Sequence, residues 1–358
     1  MKNFKNVLVN ISLFIFTSVI LLISLEILFR IFYIPLFSHI DPLIYKNSKN
    51  PEVIYLLKDN FKSPHGYVIK NGFRADKFYT EAKPQGVYRI ISLGDSSTFG
   101  YGTAVNKDTY PEILEYLLNN KNKNNNTFEV INAGIPGYNT KQEFNYFIDR
   151  IVKFSPDCII VGFMNNDFQV LKKGQKVNDL GMLIDINDKG LKIPLKNYLR
   201  LHSALYAYIG TNIALMKLKL KKTDPSEKNI RKFPFNPDED DWKAMTENLI
   251  AFKKECDSKR IKLLVILFPH AYQLSDKYPI IDAKGFEFLY DRKYVAGNVF
   301  IQNRMKDICK KNNIDCLDLY TVLKKNWENL PYPKDDPVHP NAYGNLLISQ
   351  EIIRHLYE

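Results

Sequence analysis

Four short stretches hold residue types able to work together as a nucleophile, a base and hydrogen-bond donors. "RIISLGDSSTFGYG", residues 89–102, delivers Ser96 just past a short, apolar, β-branched run that reads as a buried strand. "INAGIPGYNT" supplies Gly134 and Gly137, where a bare backbone N–H can approach a ligand closely. "VGFMNNDF" supplies Asn166, whose side-chain amide can donate. "KDDPVHPNAYGN" sets Asp336 three residues ahead of His339 in a proline-bounded loop. A serine hydroxyl is a poor nucleophile until a base takes its proton, and that base needs a group to orient it. Asp336 can hold one imidazole nitrogen of His339 and leave the other facing outward, with Asp335 as the carboxylate most easily confused with it. Taken singly, Gly-Asp-Ser is a common turn and Asp-Pro-x-His-Pro a common helix cap. Their value lies in arriving together at strand ends or in loops. Among the other histidines, His39 and His65 precede the core, His202 and His355 read as polar positions on helices, and His270 follows a strand.

The elements that would position these residues alternate from about residue 86 onward. Strands are expected at 88–94, 128–133, 158–163, 261–268 and 314–319, and helices at 109–120, 140–153, 239–258, 295–312 and 341–357. Near-continuous apolar strands separated by helices imply a mainly parallel sheet covered on both faces. In such sheets ligands bind at the carboxyl ends of the strands, where Ser96, Asn166 and the glycines fall. An insertion at about 168–238 interrupts the alternation. Its segment "LKNYLRLHSALYAYIGTNIALMKLKLKK" reads either as a helix packed on the domain with a solvated basic end, or as a lid or membrane-facing surface.

The chain has 358 residues, 25% of them charged and 45% hydrophobic, which suits a folded globular protein. Its formal charge of +11 is spread rather than striped, and no nucleic-acid-binding signature accompanies it, so nucleic acid is not an expected partner. A basic balance also suits a neighbour of anionic lipid or an acidic glycan. Lys2 and Lys5 precede an uncharged run from Asn6 to Leu25, long enough for one bilayer span. The flanking lysines favour a cytoplasmic amino terminus and an extracytoplasmic domain. The run exceeds an ordinary signal-peptide core, no Ala-x-Ala-like site follows, and Glu26 can pair with Arg30 one turn later. The expected organisation is a transmembrane anchor at 1–34, a juxtamembrane segment at 35–85 and the main domain at 86–358. Cys158, Cys256, Cys309 and Cys316 read as small buried apolar residues, although an oxidising compartment would permit a Cys309–Cys316 bridge. No metal-ligand spacing occurs, and no cofactor is expected.

The four stretches resemble the blocks of the SGNH hydrolase superfamily, also called GDSL lipases/esterases. The match runs through Gly94-Asp95-Ser96, Asn132-Ala133-Gly134-Ile135-Pro136-Gly137, Asn166-Asp167 and Asp336-Pro337-Val338-His339. It departs where Met164 takes the place of a usual glycine, and GDSS replaces the frequent GDSL. The lead "NGFRAD" is similar to membrane-anchored members, with Arg74 as a residue that either supports the site or is simply exposed. The resemblance implies a flavodoxin-like three-layer α/β/α sandwich with a mainly parallel five-stranded sheet, preceded by one transmembrane helix. It implies Ser96 as nucleophile, His339 as base and Asp336 as its orienting acid. Ser96 N–H, Gly137 and Asn166 would form the oxyanion hole. The implied activity is that of a serine esterase on an acylated glycan or lipid at the cell envelope. The same apparatus could instead serve O-acyl transfer to a surface polysaccharide, or persist as a non-catalytic glycan-binding domain.

Overall fold

The computed structural model describes residues 2–32, 44–63, 66–121, 127–168, 175–177, 183–185, 199, 203, 205–206, 209, 237–279, 295–334 and 336–357. Most of the insertion, its basic segment, His39, His65, His202 and Asp335 lie outside the described residues. The chain divides into two compact units, Met1–Ser38 with Lys189–Asn229, and His39–Asp188 with Ile230–Glu358. In the first unit, helix α1 (Lys2–Phe32) contains a window, Val9–Arg30, with mean hydropathy 2.5 and no buried share. It is long and apolar enough to cross a bilayer. Glu26 pairs with Arg30 at 2.8 Å, as their spacing predicts.

The second unit opens with strands that the sequence does not announce. β1 (Tyr45–Asn47) pairs antiparallel with β2 (Tyr55–Leu57), and β3 (Asn60–Lys62), β4 (Val68–Lys70) and β5 (Phe73–Arg74) form a second antiparallel sheet. Two- and three-residue strands are too short to produce a periodic signal.

The main sheet comprises β6 (Val87–Gly94), β7 (Thr127–Asn132), β8 (Cys158–Phe163), β11 (Lys262–Leu267) and β12 (Asp315–Asp318). A small antiparallel pair, β9 (Gln175–Val177) and β10 (Leu183–Asp185), lies between β8 and β11 in sequence. The spatial order is β12-β11-β8-β6-β7, and every pairing in this sheet is parallel. Counting only these five strands, the order is 2-1-3-4-5 read from the β7 edge, the flavodoxin-like arrangement. Ile90, Ile91, Ile159, Ile160, Val265 and Ile266 are buried on both faces, which is why these strands read as unbroken apolar runs rather than alternating ones. Helices α2 (Ser96–Phe99), α3 (Tyr110–Lys121), α4 (Thr140–Asp149), α5 (Glu239–Ser258), α6 (Ala271–Leu274), α7 (Phe300–Lys311), α8 (Tyr320–Lys325) and α9 (Ala342–Tyr357) connect and cover the strands. α3 packs on α9, and α4 on α5, completing an α/β/α sandwich.

Two helix limits differ from expectation. The helix expected over 140–153 stops at Asp149, and a tighter 3₁₀ turn, Ile151–Phe154, completes the stretch. The helix expected from 295 begins at Phe300, because Asn298 N closes a turn on Val295 O at 3.0 Å. All four cysteines are free, with Cys158, Cys256 and Cys309 buried and Cys316 half-buried.

Candidate active site

β6 and β8 are neighbours in the sheet but not consecutive in the chain, and Gly94 and Gly162 face each other where the two strands end. The connections leaving β6 toward β7 and leaving β8 toward β11 therefore diverge, opening a crevice at the carboxyl edge. Ser96 stands in that crevice, on the first turn of α2, half-buried. The buried Asp95 carboxylate caps this turn by accepting from Ser97 N at 2.8 Å.

The loop before α9 brings the candidate base. Asp336 Oδ1 accepts from Val338 N at 3.0 Å and His339 N at 3.1 Å, a local turn that folds the imidazole back over its own carboxylate. Asp336 Oδ2 then lies 2.7 Å from His339 Nδ1, and His339 Nε2 lies 2.8 Å from Ser96 Oγ. A proton on Nδ1, donated to Asp336, leaves Nε2 free to accept from the serine hydroxyl. The loop is tied to the sheet edge by Ala271 N on Pro337 O at 2.8 Å, and the edge of Tyr101 meets the His339 ring at 5.3 Å. The His339 and Asp336 side chains are 16% and 19% exposed, so the pair is desolvated yet reachable. Burial alone would lower the His339 pKa, but the Asp336 carboxylate outweighs it and the net shift is upward. Burial alone would raise Asp336, and the facing imidazole brings it below the usual carboxylate value.

The candidate donors come from two other strand ends. Asn166 sits on the 3₁₀ turn Asn165–Phe168 after β8, half-buried. The buried Asp167 shapes this turn by accepting from Met164 N at 2.6 Å and Thr140 Oγ1 at 3.1 Å. Met164 is itself packed in the core, 1% exposed, which accounts for a bulky residue at that position. Asn166 Nδ2 donates to Asp95 Oδ2 at 2.8 Å, fixing the amide plane and leaving its second N–H to point elsewhere. Of the two candidate glycines, Gly134 is packed beneath α2, where a Cβ would come within 2.3 Å of Phe99 N. Gly137 is exposed at the crest of its turn. The crevice floor is acidic: Asp95, Asp167 and Glu143 are all buried, and burial pushes the pKa of each upward, well above the carboxylate range for the last two.

Ser96, His339, Asp336, Asn166 and Gly137 thus come from four separate stretches to one edge of the sheet. His270 reaches the same edge but stacks on Tyr272, with ring centroids 5.0 Å apart, and burial lowers its pKa to about 4. Asp95 as the partner of Asn166 was hidden in the sequence, because an aspartate before Ser-Ser reads as an ordinary turn former. Arg74 is fully buried rather than exposed. Its guanidinium donates to Phe99 O at 3.0 Å, Gly100 O at 2.6 Å and Thr103 O at 3.0 Å, between the rings of Tyr67 and Phe99. It therefore fastens the carboxyl end of α2, the short helix that carries Ser96. Among the described residues, no group of three or more His, Cys, Asp or Glu side chains is arranged to hold a metal ion.

No curated protein is similar enough in sequence to match. Among solved structures, the chain is similar to the lipase/acylhydrolase from Enterococcus faecalis, at 14% identity over 75% of this chain and 95% of that one, with TM-score 0.40. It is similar to an acetyl xylan esterase at 16% identity, covering 75% and 99% of the two chains, with TM-score 0.40. A third similarity is to a catalytic mutant of the acetylxylan esterase Axe2 from Geobacillus stearothermophilus, at 12% identity over 78% and 97%, with TM-score 0.41. The model of the GDSL-like Lipase/Acylhydrolase family matches residues 92–347, from the end of β6 into α9 and well over half of the chain. With the strand-end serine at the start of that span and the histidine loop near its close, the chain belongs to the GDSL-like lipase/acylhydrolase family and is a hydrolase of ester bonds.

Proposed function

We propose that Ser96, His339 and Asp336 form a catalytic triad that hydrolyses an ester of a cell-surface glycan or lipid. The observation that carries this reading is the continuous hydrogen-bond chain from Ser96 Oγ to His339 Nε2 at 2.8 Å and from Nδ1 to Asp336 at 2.7 Å. In the first half-reaction the Ser96 proton passes to His339 Nε2 as Oγ bonds to the ester carbonyl carbon. The developing oxyanion is met by Ser96 N–H, Gly137 N–H and the free N–H of Asn166. His339 then returns the proton to the departing alcohol, leaving an acyl-serine. In the second half-reaction His339 takes a proton from water, the resulting hydroxide attacks the acyl carbon, and the proton returns to Ser96 as the acid leaves.

The same reading places α1 as a single-span anchor with the catalytic unit outside the cytoplasm, supported by Lys2 and Lys5 ahead of the apolar window. A net charge of +11 favours an anionic surface as the working environment. The test is treatment of the full-length protein in detergent micelles with a fluorophosphonate, followed by mass spectrometry. An adduct on Ser96 that disappears in Ser96→Ala, together with loss of ester hydrolysis, is expected. Full esterase activity in Ser96→Ala would refute the triad.

A further inference from the structure

The loop that carries Gly137 is a β-turn whose central peptide has two possible orientations, and only one serves an oxyanion. Tyr138 N closes it on Ile135 O at 3.1 Å, with Pro136 and Gly137 at the two central positions. Gly137 has φ +82°, which together with proline ahead of it marks a type II turn. Type I and type II turns differ chiefly by a flip of the central peptide, here Pro136–Gly137. Because that peptide is planar and trans, its carbonyl and its N–H point in opposite directions. Whatever holds Pro136 O therefore aims Gly137 N–H.

The group that holds it comes from outside the α/β sandwich. Tyr55, on β2, donates its hydroxyl to Pro136 O at 2.9 Å. Its oxygen lies so close to the turn that a Cβ at Gly137 would come within 2.9 Å of it. Tyr55 is 1% exposed, while Gly137 faces solvent, so the carbonyl points into the protein and the N–H points out. The turn is also registered on the nucleophile's own strand, since Ile135 N donates to Gly94 O at 2.9 Å. The Tyr55 ring is in turn fixed by the edges of Tyr45, at 5.1 Å, and Tyr138, at 5.2 Å, and the Tyr138 hydroxyl donates to Tyr55 O. Burial keeps the phenol proton on Tyr55 far above neutral pH, so the donor persists across the working range.

We propose that Tyr55, contributed by the segment that follows the membrane helix in the chain, is a positioning residue that locks the Pro136–Gly137 peptide with its N–H toward the oxyanion. It touches no reacting atom. By pulling on the carbonyl it also polarises the peptide and strengthens the N–H as a donor. The inference rests on Gly137 N–H being an oxyanion donor, as the reading of the active site has it.

The test compares Tyr55→Phe, Tyr79→Phe and Ser96→Ala in the full-length protein in detergent micelles, with 4-nitrophenyl acetate as the probe ester. Outright loss of an oxyanion donor lowers kcat by about 10²–10³, so a misaimed one should lower it by roughly 10–100-fold. The expected result is that fall in kcat for Tyr55→Phe with KM within about twofold, because the donor acts on the transition state rather than on ground-state binding. Tyr79→Phe removes another buried hydroxyl, one that donates to Val130 O rather than to the turn, and should leave kcat within about twofold of the parent. An unchanged kcat in Tyr55→Phe, with Ser96→Ala inactive, would overturn this inference and leave the triad standing. An equal fall in both tyrosine variants, tracking their thermal midpoints, would overturn it in favour of packing alone. Persistent hydrolysis in Ser96→Ala would remove the active-site reading and this inference with it.

Discussion

Two histidine loops meet at the carboxyl edge of the sheet, and their surroundings drive the two rings in opposite directions. His339 faces a carboxylate 2.7 Å from its Nδ1 and a hydroxyl 2.8 Å from its Nε2, so its charged form is favoured despite burial. His270, on the loop that opens α6, is packed face to face with Tyr272. Burial first and the His339 charge second lower its pKa, with Asp336 pulling the other way. Strand-end position is therefore not enough to make a histidine a base. What separates them is a local turn, Asp336 to His339, that delivers a carboxylate to one nitrogen and leaves the other exposed to a partner.

The contrast breaks first at the proposed proton acceptor. His339→Ala should lower kcat for an activated ester by about 10⁴-fold or more, as loss of a triad base does elsewhere. Rates measured under saturating ester would check it, and a loss of less than about tenfold would exclude His339 as the base. Next comes the carboxylate. Asp336→Asn should lower kcat by roughly 10²–10⁴-fold, since an amide does not hold the required tautomer or stabilise the imidazolium. The pH profile sharpens that test. The proposed triad requires neutral His339, so the acid limb of kcat/KM should lie above the ordinary histidine value of 6.5, because Asp336 raises this group. In Asp336→Asn the limb should move to lower pH. A limb that stays in place would mean that another group governs it.

The smallest effect is expected at the other ring. His270→Asn should keep kcat within about threefold, because the Ser96 hydroxyl bonds His339 and Asp95 rather than this ring. Its signature is in stability. A histidine whose folded pKa is about 4 binds fewer protons folded than unfolded between roughly pH 4 and 6.5, so it makes the fold progressively less stable as pH falls through that window. The raised His339 has the opposite sign: its contribution is complete below the unfolded value and is lost as pH rises through its folded pKa. Thermal midpoints from pH 7 to 5 should accordingly fall less in His270→Asn than in the parent.

The parts of this architecture that sequence reveals are those whose physics is local. β6, β8 and β11 are visible as apolar runs because both of their faces are covered, and their ends are marked where Gly94, Asn165 and Pro269 break the apolar pattern. The Asp336-to-His339 turn is visible because three residues suffice to build it. Asp95 escapes such reading, since its bond to Asn166 joins residues 71 apart, and so does Tyr55, 81 residues from Pro136. The strands that carry Tyr55 and Arg74 are too brief to show periodicity, and a buried arginine satisfied by three backbone carbonyls leaves no trace in composition.

The hydrogen bond between His339 and Ser96 spans 243 residues of chain. A polypeptide made from its amino end acquires Ser96 long before His339, and the two cannot meet until β11, β12 and the loop ahead of α9 have joined the sheet. Long closures of this kind come late in folding, because their entropy must be met before any contact repays it. Until that loop is made and docked, the Ser96 hydroxyl is without the imidazole it bonds in the folded chain.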